Sequence, residues 1–420
     1  MTATTALRSS AELSPSDFSL LSQAVRANPY PYYAALRREA PIHPLLPGAP
    51  VYAITRYADV IHVLRHPEIF SSGALQVALQ GGGIGIGPNS GALAGHRLLA
   101  SRMMIATDPP DHGRLRRLVN RGFTPRRVAA LEPRVRELAR RFLEEALRGG
   151  QLELVRGFSI PLPVTVIAEL LGVEPSLTDQ FKAWSDAFVI GLSGAAGEYT
   201  RDDICRAADE MADYIERIAA ERRASPRDDL ISVLVEAEEG DALSTGELMA
   251  FVVLLLIAGN ETTTNLIGNG VKALLAHPDQ LARVRANPKL VPALVEEVVR
   301  YDSPIQALPR STGADVELPS GPVPAGSTLL VFFAAANHDE SQFPDAERFD
   351  IERSAPGHVA FGNGIHYCLG ASLARLEAKV AFETLLARCQ RLELAGDSIP
   401  MLDSLVLRGP RSLLLRVGTH

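Results

Sequence analysis

The stretch from Ser244 to Ala276 limits the fold more than any other part of the sequence. Ser244-Thr245-Gly246-Glu247 reads as a capping box, with Ser244 as the N-cap and Glu247 reaching back. The helix it opens can run to Ala276, where His277-Pro278 stops it. Roughly 32 residues at about 1.5 Å each give about 48 Å, enough to cross a domain. Its first half, FVVLLLIA, is apolar on every side and demands burial all round. A chain built on such a helix wraps other helices about it. Further helical stripes at Arg134–Leu147, Arg206–Arg222, Ala273–Arg285, Val291–Tyr301 and Ser372–Cys389 provide them.

Strand signals are confined to Val51–Ile54 and to Ala307–Ala334, which holds DVEL, the turn SGPVPAG and TLLVFFAA. The expectation is a mainly α fold with a small β region. A flexible, polar N-terminal arm over 1–17 would lead into one domain over 18–420, since no linker divides it. The low-complexity segment Gly73–Gly95 contains no G-x-G-x-x-G window and reads as a surface loop, with a lid over a pocket as its functional alternative.

The longest apolar run, Leu248–Ala258, has eleven residues, short of a membrane span, and Met1–Asp17 has no signal-peptide pattern. A cytoplasmic protein without a membrane anchor is expected. Net charge is −7, which gives no global reason to expect nucleic-acid binding. Only four of the 42 basic residues are lysine, a bias that fits a GC-rich bacterial genome. The three cysteines, Cys205, Cys368 and Cys389, lie too far apart to suggest a disulfide framework or a C-x-x-C metal site.

Two segments carry chemistry. Midway along the long helix the apolar run gives way to Ala258-Gly259-Asn260-Glu261-Thr262-Thr263-Thr264. Glycine and β-branched threonines are poor helix formers, and the Thr262 hydroxyl can reach the Ala258 carbonyl four residues back. This predicts a local widening lined by an acid and a hydroxyl. It suits either a proton relay or a helix that surfaces halfway. The second segment is Phe361-Gly362-Asn363-Gly364-Ile365-His366-Tyr367-Cys368-Leu369-Gly370. Its glycines permit a tight bulge against a flat ligand, and Cys368 stands where a helix begins, which favours a thiolate. His366 alone beside it leaves a zinc site two ligands short.

The pattern F-x-x-G-x-x-x-C-x-G over Phe361–Gly370 resembles the haem-ligand loop of cytochrome P450 monooxygenases. In the same order, Ala258–Thr262 resembles that family's oxygen-activating segment, Glu297-Val298-Val299-Arg300 its E-x-x-R pair, and Arg348-Phe349 the arginine completing that cluster. The resemblance implies a long central helix over a haem buried between helices. It implies heme b (iron protoporphyrin IX) bound by Cys368 as proximal thiolate, with Phe361, Gly362 and Ala258 against the ring. His112, Arg116, Arg310 and His366 match positions that hold the haem propionates. Glu261 and Thr262 would guide protons toward O2, and Glu297, Arg300 and Arg348 would be structural. By correspondence Leu254, Ala258, Ile305, Leu308 and Val406 would line an apolar pocket for a steroid, fatty acid, terpenoid or macrolide. A haem sensor or carrier without turnover is the alternative, disfavoured by the intact Glu261-Thr262 pair.

No flavin or iron–sulfur segment is visible, so the implied electron source is a separate ferredoxin with its reductase. Between Arg97 and Arg141 stand twelve arginines and four acids, an excess of eight positive charges in a chain of net −7. Such a basic stretch suits an acidic partner.

Overall fold

The computed structural model describes residues 12–80, 89, 91–193, 199–236, 243–353 and 356–419. The capping box forms as the sequence requires. Glu247 N–H donates to Ser244 Oγ at 3.2 Å, and Ser244 N–H donates to Glu247 Oε2 at 2.9 Å. The central helix runs Thr245–Leu255, widens into a π turn over Leu256–Asn260, and continues as Glu261–Ala276. Its two halves enter different cores. Leu248–Leu256 packs with Ile167, Phe188 and Ile215, whereas Leu266, Ile267, Val271 and Leu274 pack with Val298, Phe382 and Leu385. By length and composition this helix could cross a membrane, but 67% of its most apolar window is buried within the protein.

Among the described residues ten strands form three sheets. They are β1 (Ile42–Pro44), β2 (Val51–Ile54), β3 (Phe70–Ser71), β4 (Leu152–Glu153), β5 (Leu308–Thr312), β6 (Val316–Leu318), β7 (Gly321–Val323), β8 (Thr328–Val331), β9 (Cys389–Leu394) and β10 (Leu414–Thr419). The largest sheet has the order β1-β2-β8-β5-β3, a second is β4-β10-β9, and β6-β7 is a hairpin. In the parallel β2–β8 pair, Val51 lies opposite Thr328 and Ile54 opposite Val331.

Several expectations need correction. The stripe Ala273–Arg285 is two helices, ending at Ala276 and restarting over Pro278–Ala286, because Pro278 drives His277 out of helical geometry (φ −128°, ψ 76°). Strands are not confined to two places, since β9 and β10 close a sheet at the C-terminus. Phe333–Ala336 is one helical turn rather than the end of a strand. The segment read as a loop from Gly73 begins as a helix, Gly73–Gln80, and part of the remainder lies outside the described residues. Of the arm over 1–17, Leu13 is buried and its carbonyl accepts from Arg38 Nη2 at 3.0 Å, so its last residues are packed.

One ion cluster fixes the approach to the cysteine segment. Glu297 and Arg300, one turn apart on the Val291–Tyr301 helix, are both fully buried. Arg300 Nε donates to Glu297 Oε2 at 2.8 Å and Nη2 to Oε1 at 2.8 Å. Nη1 donates to the carbonyls of Asn337 and Ala346, both at 2.9 Å, and Nη2 also to that of Arg348 at 3.2 Å. All donors of the guanidinium are used. Asn337 then accepts from the Val359 N–H at 2.7 Å, two residues before Phe361.

The third arginine of this cluster is not Arg348. Its side chain is exposed and faces Asp350 at 3.4 Å, and only its carbonyl serves Arg300. Arg353 takes the place instead, with Nε 3.4 Å from Glu297 Oε1 and Nη2 on the carbonyls of Asp345 and Arg348. Removing one partner from a buried pair costs about 3–5 kcal/mol, while an exposed pair contributes about 0–1. Chemical denaturation should therefore show Arg353→Ala markedly less stable than the parent and Arg348→Ala nearly unchanged. Equal midpoints for the two variants would refute the reassignment.

Candidate active site

The cysteine segment folds through two left-handed glycines, Gly362 (φ 72°) and Gly364 (φ 65°), and a Cβ on Gly364 would sit 2.4 Å from the Leu64 carbonyl. Neither the backbone angle nor the space allows a side chain there. Asn363 Oδ1 accepts from Gly364 N–H, and Cys368 N–H donates to the Phe361 carbonyl, each at 2.8 Å. The helix Ala371–Arg388 begins three residues later. The N–H groups of Gly370 and Ala371 point at the Cys368 sulfur, and Arg116 and Arg375 act on it through space. Burial outweighs all of these and pushes the thiol above its ordinary value, so the expected thiolate stabilisation is present but insufficient by itself. Cys368 is nonetheless surface-accessible. It is thus accessible yet desolvated, the environment of a recess.

Beside it stands a wall of nitrogen donors. His112 and Arg116 lie one turn apart on the helix Asp111–Asn120, Arg310 comes from β5, and His366 from the cysteine segment. The His112 and His366 rings are 4.4 Å apart, and His366 Nε2 is 3.0 Å from Ser72 Oγ. Burial and the nearby Arg310, His112 and Arg116 push His366 down to about 3. Burial brings Arg310 down to about 10 and lowers Arg116, and burial with Arg116 lowers His112. His112 Nε2 is buried without a partner. The nearest acid, Asp108, is engaged by Ser71 and Ser72. Four desolvated donors converge, and among the described residues the acid that acts on them, Asp108, is already held by Ser71 and Ser72, which fits a ligand that carries its own carboxylates.

The polar fault in the central helix opens the helix as predicted. Thr262 Oγ1 donates to the Ala258 carbonyl. Leu254 and Thr262 are half-buried and Ala258 exposed, each one turn from the next on a helix that is otherwise largely buried. On the opposite side Thr264 Oγ1 donates to the Ser159 carbonyl at 3.0 Å, and Asn260 is buried. Burial pushes Glu261 up to about 7; Asp186 adds to the rise and Lys182 opposes it. Lys182 and Asp186, 2.5 Å apart on the helix Thr178–Ser193, are thus the charged neighbours of Glu261. Ile305, Leu308 and Val406 are half-buried, Ile305 and Val406 in adjoining segments.

Sequence reasoning missed Ser72, Asp108, Lys182, Asp186, Asn337 and Arg353. Asp108 lies four residues before His112, but only folding reveals which residues it supports. The basic stretch is less bare than its composition suggests. Arg97 meets Asp213 and Glu216, Arg114 meets Glu247, Arg134 meets Glu169, and Arg136 meets Glu132 and Glu383.

The raised carboxyl of Glu261 has a consequence for stability. In the unfolded chain it ionises near 4.5, while in the fold it keeps its proton to about 7. Stability therefore falls as pH rises from about 4.5 to 7 and stays lowest above 7. At about 1.4 kcal/mol per pKa unit, Glu261→Gln should be about 3 kcal/mol more stable than the parent at pH 8. The gain should vanish near pH 4.5. Denaturation midpoints that shift equally at both pH values would contradict this.

Comparison with known proteins agrees with the geometry. A family profile described as Cytochrome P450 matches residues 192–417. The chain is 41% identical over 405 residues to a vitamin D(3) 25-hydroxylase of Pseudonocardia autotrophica, covering 95% of this chain and 96% of that one. It is similar to the structure of cytochrome P450 CYP109Q5 from Chondromyces apiculatus, with a TM-score of 0.86, 42% identity, and 96% and 98% of the two chains covered. CYP109E1 from Bacillus megaterium in complex with testosterone follows with a TM-score of 0.81, 36% identity, and 93% and 99% covered. A cysteine held on a glycine-bent turn, a donor wall without its anion and a widened central helix thus occur in a chain that belongs to the cytochrome P450 family of haem monooxygenases.

Proposed function

We propose that the chain is a cytoplasmic, heme b-dependent monooxygenase that oxidises a steroid-sized apolar molecule with electrons from a separate ferredoxin and its reductase. The observation that carries this reading is the convergence of His112, Arg116, Arg310 and His366, all lowered by burial and none ion-paired among the described residues, beside an accessible but desolvated Cys368. Heme b brings two carboxylates and an iron that accepts a thiolate, and when bound it supplies the redox chemistry of O2.

Cys368 would ligate the iron, and coordination deprotonates a thiol outright, overcoming the upward push of burial. His112 Nε2, Arg116 and Arg310 would take the carboxylates, and their depressed values would recover once an anion is present. His366, kept neutral and positioned by Ser72, would add one N–H. Phe361 and Gly362 would lie under the ring and Ala258 above it. Glu261, poised near neutral pH, would exchange protons with solvent past Lys182 and Asp186. Thr262 would hold a proton at Oγ1, where its hydroxyl already replaces a regular helix bond. One oxygen atom would enter the substrate and the other leave as water.

Leu254, Ala258, Ile305, Leu308 and Val406 would form the apolar wall. The steroid reading rests on relatives named for vitamin D(3) hydroxylation and solved with testosterone. The dithionite-reduced protein under carbon monoxide should show a strongly red-shifted Soret band that Cys368→Ser abolishes, and testosterone should displace the ferric protein's spin-state spectrum. Haem with an unshifted band would favour a sensor, and an indifferent spectrum with testosterone would remove the steroid assignment.

For the donor, the unburied part of the basic stretch matters. Arg121 and Arg126 are exposed at the junction of the helices Asp111–Asn120 and Pro125–Ala130. An open groove of about 310 Å3 adjoins them, lined by Pro125, Val128, Glu296 and Arg375. Arg375 Nη1 reaches Tyr367 Oη at 3.1 Å, next to Cys368. Reversing Arg121 and Arg126 to Glu should slow ferredoxin-dependent reduction and flatten its salt dependence. An unchanged rate and salt slope would sink the docking assignment.

A further inference from the structure

A second polar cluster lies at the far end of the central helix. Asp302, just past the Val291–Tyr301 helix, is buried. Its carboxylate accepts from Tyr30 Oη at 2.7 Å and Arg408 Nε at 2.9 Å, and meets Lys272 Nζ at 2.5 Å. These partners hold it at about 2 despite its burial. From the same helix as Lys272, Asn269 Nδ2 donates to the carbonyls of both Asp302 and Arg408, each at 2.9 Å. Asn269 Oδ1 is buried with no partner. An unsatisfied acceptor destabilises, so the two donations are what the fold gains from an asparagine here.

The cluster joins two segments that lie about a hundred positions apart in the chain. Arg408 N–H donates to the Pro304 carbonyl at 2.8 Å, Gln306 N–H to the Val406 carbonyl at 2.7 Å, and Ile305 bridges Leu407. The segment after Val406 is also pressed on the central helix, where a Cβ at Gly409 would lie 2.0 Å from Asn265 Oδ1. Asn269 stands two turns beyond Thr262, on the same helix face.

We propose that Asn269, Asp302 and Arg408 form a positioning site that locks Ile305 and Val406 at a fixed distance from the central helix and so sets the size of molecule the enzyme accepts. The inference rests on the reading that Ile305 and Val406 face the haem pocket. None of the three residues touches substrate. A few backbone bonds alone would let the two segments slide past one another. The charged Arg408 Nε–Asp302 bond, the Arg408 Nη1 donations to the carbonyls of Arg26 and Ala27, and the doubly donating amide are directional and permit one register. A wall held this way is pre-organised, so a large ligand binds without having to order it. A small ligand near the iron does not reach it.

The test uses the haem-loaded full chain and two azoles that bind haem iron through nitrogen, the small 4-phenylimidazole and the large clotrimazole. Asn269→Ala removes both donations without stranding a buried charge, and Tyr30→Phe trims one bond from Asp302 should the first variant fold poorly. Dissociation constants come from the Soret shift of the ferric protein. The expected result is a clotrimazole constant raised about fivefold or more, with that of 4-phenylimidazole within about twofold. No change with either azole, or equal weakening of both, overturns the proposal. A parent lacking the red-shifted carbon monoxide band would instead defeat the haem-thiolate reading, and the two failures are told apart by that band.

Discussion

The guanidinium of Arg300 is the interaction on which the rest depends. A buried cation is tolerable only when paired and fully hydrogen-bonded, and here every N–H has an acceptor, two on Glu297 and three on backbone carbonyls. Those carbonyls belong to Asn337, Ala346 and Arg348, on the run of chain between the large sheet and the cysteine segment. Satisfying one side chain thereby dictates the path of that run. Asn337 passes the constraint to Val359, and Arg353 closes the circuit on Glu297. The helix bearing Glu297 is also packed on the helix that follows Cys368, so the thiol is located from both sides.

The polar groups around Cys368 share one electrostatic character. His112, Arg116, Arg310 and His366 are all displaced toward their neutral forms, and so is Glu261 on the other side. Desolvation is the first cause in each case. Such an arrangement is costly for the protein alone and becomes favourable once a ligand brings the missing charge. Binding and stability are therefore linked, because a ligand that binds only the native state raises its stability.

Much of this was legible in the sequence where the signal is local. The capping box at Ser244, the fault at Ala258–Thr264 and the glycines before Cys368 depend on residues within a turn of one another, and each formed as its pattern required. What escaped depends on partners brought together by folding. Arg348 and Arg353 are five residues apart in an irregular segment, and no periodicity there tells which one faces Glu297. The charged neighbours of Glu261 come from a helix some eighty positions earlier. β9 and β10 read poorly because half their residues are charged or small, and what stabilises them is pairing with each other and of β10 with the distant β4. The stripe Ala273–Arg285 kept its period across a break because His277-Pro278 interrupts hydrogen bonding without disturbing the spacing of apolar side chains.

The π turn at Leu256–Asn260 also bears on how such a chain can change over evolutionary time. A bond spanning one residue more than the α-helical bond takes up an extra residue, equivalent to about 100° of rotation. The halves of the central helix are thus phased independently, the first toward Ile167 and Phe188, the second toward Val298 and Phe382. Point substitutions on either half alter packing locally. Loss of a single residue inside the turn would instead restore a continuous helix and rotate one half against its core, swinging Thr262 and Asn269 away together. An insertion or deletion that a surface loop would absorb would here re-phase half of the protein's core, so the length of this segment is constrained as tightly as the identity of its residues.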